Sequence, residues 1–106
     1  MKSCIFCDVI AGKLPRTVIF QDTDVIVIKD MYPQAQVHLL VIPKKHISEL
    51  VEVEDALLTK LFQTIKMIIK QEHIANYRIV NNGKGTAIID HVHIHILGSV
   101  SKHRNL

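Results

Sequence analysis

Long apolar runs, abundant cysteine and a strong net charge are all missing from this chain of 106 residues. No apolar run approaches the roughly 20 residues that a membrane-spanning helix needs, so we expect no membrane partner. The two cysteines cannot form a disulfide framework. The formal charge is only +3 and no basic cluster exceeds Lys44-Lys45, which argues against nucleic-acid binding. The N-terminal apolar stretch ends at Asp8, so we expect no secretory signal and a reducing, cytoplasmic location.

The residues that are present give an ordinary globular composition with many histidines. Apolar residues make up 48% of the chain and charged residues 22%, which disfavours both disorder and a coiled coil. The length, with no internal repeat or linker, predicts one domain over residues 1–106. Seven residues are histidine, and three of them fall within residues 91–95.

The hydrophobic pattern predicts two helices and about five strands. Apolar residues at helical spacing, with acids at the start and lysines near the end, predict a long helix over residues 54–71. A short helix over residues 5–11 is expected to stop at Gly12. The predicted strands are residues 17–21, 25–29, 37–42, 77–81 and 86–97. The order of these elements favours an α+β fold, with a five-stranded antiparallel sheet backed by the long helix.

The last predicted strand alternates histidine with apolar residues over residues 91–97. Side chains alternate between the two faces of a strand, so Val92, Ile94 and Ile96 are expected in the core beneath the long helix. The three histidines are then expected on the opposite, open face, about 6.5–7 Å apart. Three histidines in register point to function, since imidazole titrates near neutral pH and also binds metals.

Two kinds of chemistry suit such a row of histidines. They could hold a catalytic zinc ion, but positions 91 and 95 are about 13–14 Å apart on a flat strand, too far to share one ion. Alternatively, the central imidazole attacks phosphorus, and the resulting nucleotidyl-imidazole is hydrolysed by water. In that case the neighbouring histidines assist the central one.

Residues 91–97 match the His-φ-His-φ-His-φ-φ signature, where φ is apolar, and on this basis the chain resembles the histidine triad (HIT) superfamily. Residues 5–7, 33–35 and 38–47 also resemble the Hint branch of that superfamily. The resemblance implies a hydrolase or transferase acting at the α-phosphate of nucleoside 5′-phosphoramidates or related nucleotidyl compounds. It also implies a purine nucleotide substrate, such as an AMP conjugate, and a homodimer. The chemistry itself would need no metal.

The resemblance also assigns roles to individual residues. His93 would be the nucleophile, His95 would contact the phosphate and assist proton transfer, and His38 and His91 would orient the nucleophile. The positions that match substrate-binding residues are Asp30, Asn81, Leu14, Ile28, Met31 and, if its loop shifts register, Thr86. Without the resemblance, Asp30 is a candidate for an Asx turn, Asn81 for a turn residue, and the three apolar residues for the core.

Cys4 and Cys7 have the spacing of half a zinc site, but one such pair is also compatible with a redox motif or with two buried thiols. Zinc-carrying members of the superfamily resemble this chain at four positions, which are Cys4, Cys7, His46 and His91. The resemblance therefore implies one structural zinc ion per chain, with His91 assigned primarily to the metal.

The chain departs from the family pattern just before the histidines. Members usually carry Gly-Gln and then a hydroxyl or acidic residue, whereas this chain has Thr86, Ala87 and Ile88. Loss of a phosphate-side donor can raise a reaction barrier by about 2.7–4 kcal/mol. The alternative to an enzyme is therefore a nucleotide-binding sensor or interaction protein with little turnover.

Overall fold

The structure, a computed structural model, describes residues 4–102, which form a five-stranded antiparallel sheet with two α-helices. The helices are α1 (Ile5–Ile10) and α2 (Asp55–Gln71), and a 3-10 turn spans Leu50–Glu52. The strands are β1 (Val18–Gln21), β2 (Val25–Lys29), β3 (Val37–Pro43), β4 (Arg78–Val80) and β5 (Ile94–Gly98). The predicted α+β architecture is therefore confirmed. Between residues 4 and 102, neither helix combines the length and the apolar character needed to cross a membrane.

The strands are ordered β1-β2-β3-β5-β4 in the sheet, so β3 and β5 meet at its centre. The first two strands form the predicted hairpin, and the Asp22 carboxylate accepts hydrogen bonds from the N–H groups of Asp24 and Val25 in its turn. In the centre, Leu40 of β3 is opposite His95 of β5, and His38 is opposite Leu97. His38 and His95 are thus diagonal neighbours, close enough for long side chains to meet.

Each face of the sheet has its own apolar core. On one face, α2 packs Leu61, Ile65 and Ile68 against strand residues that include Ile94 and Ile96. On the other face, α1 packs Phe6 and Val9 against β2 and β3. This second core covers part of the face that the sequence predicted to be open. The central strands β2 and β3 are consequently buried on both sides.

Local sequence accounts for the bounds of α1. The Sγ atom of Cys4 accepts a hydrogen bond from the N–H of Cys7, which satisfies one of the free donors at the helix N-terminus. The helix ends before Gly12, which has φ +78°, a conformation that glycine adopts without steric cost. The helix is therefore held between a thiol cap and a glycine stop.

The prediction of a strand over residues 86–97 is wrong for residues 86–93, because β5 begins only at Ile94. Residues 83–87 form a turn in which the N–H groups of Thr86 and Ala87 donate to the Gly83 carbonyl. Next to the irregular residues, Pro43 at the end of β3 has no N–H to donate to a neighbouring strand. The His91 side chain instead bonds the Pro43 carbonyl. His91 and His93 therefore lie on irregular chain that leads into the strand.

Candidate active site and metal cluster

His93 is held so that one ring nitrogen is free. Its Nδ1 lies 2.8 Å from the main-chain carbonyl oxygen of His91. A carbonyl oxygen can only accept, so Nδ1 carries the proton and Nε2 of the neutral ring carries the lone pair. The ring is buried, with 7% exposure, and packs edge-on to Phe6 at a centroid distance of 5.0 Å. This is the state in which an imidazole can act as a nucleophile.

His38 and His95 are hydrogen-bonded to each other across β3 and β5. Nε2 of His38 lies 2.8 Å from Nδ1 of His95. The N–H of Gln34 donates to Nδ1 of His38 at 3.0 Å, and Oδ2 of Asp30 lies 3.4 Å from Nε2 of His38. The resemblance implied that His38 orients the nucleophile, whereas the structure records its contact with His95. The ring of His93 is oriented by the main chain of His91.

Burial makes the His38–His95 pair hard to protonate. Burial, followed by the charges of His93 and His38, lowers the pKa of His95 to about 4. Burial also lowers the pKa of His38, although the nearby Asp30 carboxylate opposes that effect. Both side chains are therefore neutral at pH 7 in the absence of a bound anion.

Two asparagines lie beside the histidines. The side-chain N–H of Asn81 donates to the main-chain carbonyl of His93 at 3.1 Å. The amide of Asn82 lies 3.5 Å from Nε2 of His95, a contact that the sequence did not predict. Asn82 stands in the same Asn-Asn-Gly turn as Asn81. Its position next to a site residue was the only sequence signal for it.

The other expected substrate-binding residues are spread over different environments. Asp30 forms an Asx turn, in which Oδ1 accepts from the N–H of Tyr32, and it also approaches His38. Ile28 is 1% exposed in the α1-side core, so it supports the site from beneath and offers no free surface to a base. Leu14 packs against the same core, while Met31 is exposed. The Thr86 hydroxyl donates to the Gly83 carbonyl within an exposed turn.

The structure brings the four expected metal ligands together. One ligand atom from each of Cys4, Cys7, His46 and His91 lies within 4.8 Å of all the others. Nδ1 of His91 is 3.4 Å from the Cys4 sulfur and 3.6 Å from the Cys7 sulfur, and Nδ1 of His46 is 3.3 Å from the Cys7 sulfur. Ligands on a tetrahedral zinc ion, with bonds near 2.0–2.3 Å, are about 3.5 Å apart.

The hydrogen bonding of His91 also suits a metal. Its Nε2 lies 2.8 Å from the Pro43 carbonyl, so Nε2 carries the proton and Nδ1 directs its lone pair towards the thiols. Burial and the neighbouring Cys4 thiol raise the pKa of the Cys7 thiol, an effect that a bound cation would reverse. The donor set and its orientation therefore fit zinc.

The expectation of an open histidine face is wrong. His91 is fully buried and His93 nearly so, and Phe6 of α1 contacts the rings of both. Only His95 is half-buried. His91 joins the cysteines and His95 joins Asp30 and His38, whereas His93 belongs to neither group. The three histidines consequently do not form a single three-histidine metal site.

The chain is similar to known proteins over most of its length. Residues 3–105 match the family model described as "Scavenger mRNA decapping enzyme C-term binding". An uncharacterized HIT-like protein of Chlamydia trachomatis is 43% identical over 100 residues, which are 89% of this chain and 90% of that protein. The adenylylsulfatase HINT1 of Arabidopsis thaliana is 37% identical over 102 residues, 89% of this chain and 69% of that protein. A 14 kDa zinc-binding protein of Brassica juncea is 35% identical over 102 residues, which cover 89% and 90% of the two chains.

Solved structures show the same fold. The crystal structure of a HIT family hydrolase from Legionella pneumophila Philadelphia 1 superposes with a TM-score of 0.86. It is 36% identical in sequence, and the match covers 93% of this chain and 95% of that one.

Proposed function

Because this chain belongs to the histidine triad superfamily, we propose that it hydrolyses nucleoside 5′-phosphoramidates or related nucleotidyl compounds at the α-phosphate. The observation that carries this proposal is the hydrogen bond from Nδ1 of His93 to the His91 carbonyl, which leaves Nε2 free to attack. That a relative is named an adenylylsulfatase, and that a structural neighbour is a HIT family hydrolase, supports the reaction class.

In the proposed reaction, Nε2 of His93 forms a bond to the α-phosphorus while the bond from phosphorus to the leaving group breaks. His95 contacts the phosphate oxygens and assists proton transfer to the departing amine. Water then attacks the α-phosphorus and gives a proton back to His95 as the bond from phosphorus to Nε2 of His93 breaks, which releases the nucleoside monophosphate and restores both imidazoles. Division into two displacements lowers the barrier that a single displacement would face.

The remaining residues would hold the nucleotide. The Asp30 carboxylate offers about four acceptor sites, of which the Tyr32 N–H takes one, so acceptors remain for the ribose hydroxyls. Asn81 supports the loop that carries His93, since it bonds the main-chain carbonyl of that residue. Met31 would contact the purine base, with Leu14 and Ile28 packed in the adjoining core. Thr86 is assigned to the phosphate side only if its turn changes register on binding.

Mass spectrometry of a single turnover tests the nucleophile. The chain is mixed with excess adenosine 5′-phosphoramidate and quenched, and we expect an adenylyl adduct on the peptide that contains His93. His93→Asn should show no adduct and lose at least about 10³-fold in turnover. The matched control is His73→Asn, at an exposed residue after α2 whose φ of 52° asparagine accepts readily.

The same experiment distinguishes the hydrolase proposal from the alternative of a nucleotide sensor. The sensor is favoured by the loop before the histidines, where Ile88 is fully exposed and the Thr86 hydroxyl is bonded within its own turn. Tight AMP binding with neither adduct nor product would contradict the hydrolase and support the sensor. Equal turnover by wild type and His93→Asn would contradict the covalent mechanism itself.

We also propose that Cys4, Cys7, His46 and His91 hold one structural zinc ion. The name of the Brassica juncea relative supports zinc, as does the donor set. The ion would link α1 to the chain that leads into β5, and it supplies no step of the reaction. The free thiols of Cys4 and Cys7 accord with the cytoplasmic location that we propose.

A homodimer completes the proposal. It rests on the resemblance to the Hint branch, and two observations support it. The α2 residues Phe62 and Met67 are 45% and 37% exposed, and a second chain packed on α2 would cover them. Strand β4 lies at the edge of the sheet, where a second chain has room to pack.

A further inference from the structure

The main-chain N–H of Gln34 points at a ring nitrogen of His38, and no step of the proposed reaction uses this contact. We propose that this N–H fixes the tautomers of His38 and His95 together, so that His95 presents an N–H rather than a lone pair to the phosphate. Gln34 is thereby a positioning residue that acts through its main chain. The inference rests on the proposed function for its meaning, although the tautomers can be measured without any substrate.

A series of hydrogen bonds joins the turn that carries Gln34 to His95. A main-chain N–H can only donate, so Nδ1 of His38, which is 3.0 Å from the Gln34 nitrogen, must accept. Neutral His38 therefore carries its proton on Nε2, and at 2.8 Å it donates that proton to Nδ1 of His95. Since Nδ1 of His95 accepts, the proton of neutral His95 is on Nε2. The Asn82 side chain, whose amide nitrogen lies 3.5 Å from this atom, then bonds it only with its oxygen turned inwards. Each tautomer follows from the one before it.

The same contacts oppose protonation of the pair. A proton added to Nδ1 of His38 would face the Gln34 N–H, and one added to Nδ1 of His95 would face the N–H of His38. The titratable groups that face the pair are the Asp30 carboxylate and the His93 ring. Only Asp30 favours a positive charge there, and burial outweighs it for both histidines.

The N–H of Gln34 also keeps metal ions away from the pair. Asp30, His38 and His95 offer ligand atoms within 4.8 Å of one another, a set that resembles a site with two histidines and one carboxylate. To bind a metal through Nε2, His38 would have to move its proton to Nδ1, where it would meet the Gln34 N–H. The nucleotide site is therefore kept free of the metal that the cysteine cluster attracts.

The turn that carries Gln34 is built to aim this N–H inwards. Gln34 follows Pro33 between β2 and β3, and its side-chain amide donates to the Tyr32 carbonyl at 3.1 Å. The N–H of Tyr32 in turn donates to the Asp30 carboxylate at 2.7 Å. The Gln34 side chain is exposed, so only the main chain of this residue reaches the site.

Nitrogen-15 NMR of the zinc-loaded wild-type protein, without nucleotide, tests the tautomers directly. We expect His38 and His95 both to carry their proton on Nε2 and to gain a second proton only below the ordinary histidine pKa of about 6.5. A proton on Nδ1 of His95 would overturn the proposal. So would titration of both rings at the ordinary histidine pKa of about 6.5. The NMR result does not depend on turnover, so it tests the tautomers whether or not the protein is a hydrolase.

Two variants at the same position isolate the N–H. Gln34→Pro removes the N–H, and we expect the titration midpoint of His38 and His95 to rise by about one pH unit or more. Gln34→Ala removes the side chain and keeps the N–H, so the midpoint should not move. Equal midpoints in the two variants would overturn the proposal. Should Gln34→Pro fail to fold, an ester linkage at position 34, which also lacks the N–H, gives the same comparison.

Discussion

His93 and His95 are the same residue type two positions apart, yet their rings are held in opposite arrangements. Nδ1 of His93 donates to the His91 carbonyl, whereas Nδ1 of His95 accepts from His38. Nε2 is consequently a lone pair in the first ring and a donor in the second. Hydrogen bonds from neighbouring residues thus suit the two histidines to the separate roles of attack and proton transfer that we propose.

Replacement of His95 should affect substrates according to their leaving groups. An amine must gain a proton as it departs, so His95→Asn should slow hydrolysis of an alkyl phosphoramidate of AMP by about 10²–10⁴-fold. A p-nitrophenyl ester of AMP, whose leaving group needs no proton, should lose far less. Steady-state rates on both substrates measure the difference. An equal loss on the two would show that His95 only binds the phosphate.

The sequence predicts the buried face of the last strand better than it predicts how each histidine is held. Alternation over residues 91–97 correctly places Val92, Ile94 and Ile96 in the α2-side core. It gives no information on which ring nitrogen is free, because that depends on the His91 carbonyl, His38 and Gln34. The contact of Asn82 with His95 is likewise invisible, since it depends on how the turn after β4 folds.

At the scale of elements, α1 is attached to the sheet both by Phe6 and by the cysteine–histidine cluster. Because zinc would join α1 to residues 46 and 91, its removal should destabilise the fold. We expect Cys4→Ser/Cys7→Ser to reduce the zinc content from about one ion per chain to none. A loss of about 2 kcal/mol in unfolding free energy would lower the Tm by roughly 10 °C.

Elemental analysis and thermal unfolding check this prediction on protein purified without an affinity tag. Ala11→Ser is a suitable control, because it introduces the same residue at the other end of α1. Absence of zinc from the wild type would contradict the metal site. An unchanged Tm in the zinc-free variant would instead show that Phe6 and Val9 hold the helix without help.

Element positions follow closely from sequence where periodicity is strong. The long helix and the β1–β2 hairpin appear as predicted because their apolar spacing or turn chemistry is local. The prediction of a strand over residues 86–93 is wrong because its pairing depends on a distant residue, Pro43, which cannot donate a hydrogen bond to a neighbouring strand. The prediction of an open histidine face is wrong for a similar reason, since periodicity does not reveal where α1 packs.

For the whole molecule, the low pKa of His95 predicts that stability falls in acid. Its pKa is about 4 in the fold and near 6.5 in an unfolded chain. Between these values the unfolded chain binds a proton that the folded chain does not, so stability declines as pH falls from 6.5 towards 4. After allowance for solvent screening, we expect a loss of about 2 kcal/mol.

Urea unfolding at pH 7 and pH 4.5 measures this loss. His95→Asn should show a clearly smaller decline over the same interval, because it removes the titrating group. A decline of equal size in the variant would assign the acid sensitivity to other groups, among them the metal ligands.

Association between copies is also a property of the whole molecule. If α2 contributes to a dimer interface, Phe62→Glu should convert the protein to monomers, because a charge is costly to bury there. Light scattering at micromolar concentration should give twice the 12.0 kDa chain mass for the wild type. Val51→Glu, at a residue that is 84% exposed, should leave the mass unchanged. A monomeric wild type would contradict the dimer.

His91 serves the cysteine cluster with its imidazole and serves His93 with its main-chain carbonyl. A peptide carbonyl is present whatever amino acid occupies a position, so side-chain replacement at 91 leaves that acceptor in place. The contact with the cysteines and the contact with His93 therefore depend on different parts of His91. Replacement of His91 would remove one expected metal ligand and keep the acceptor for Nδ1 of His93, provided that packing around Phe6 still held the chain in place.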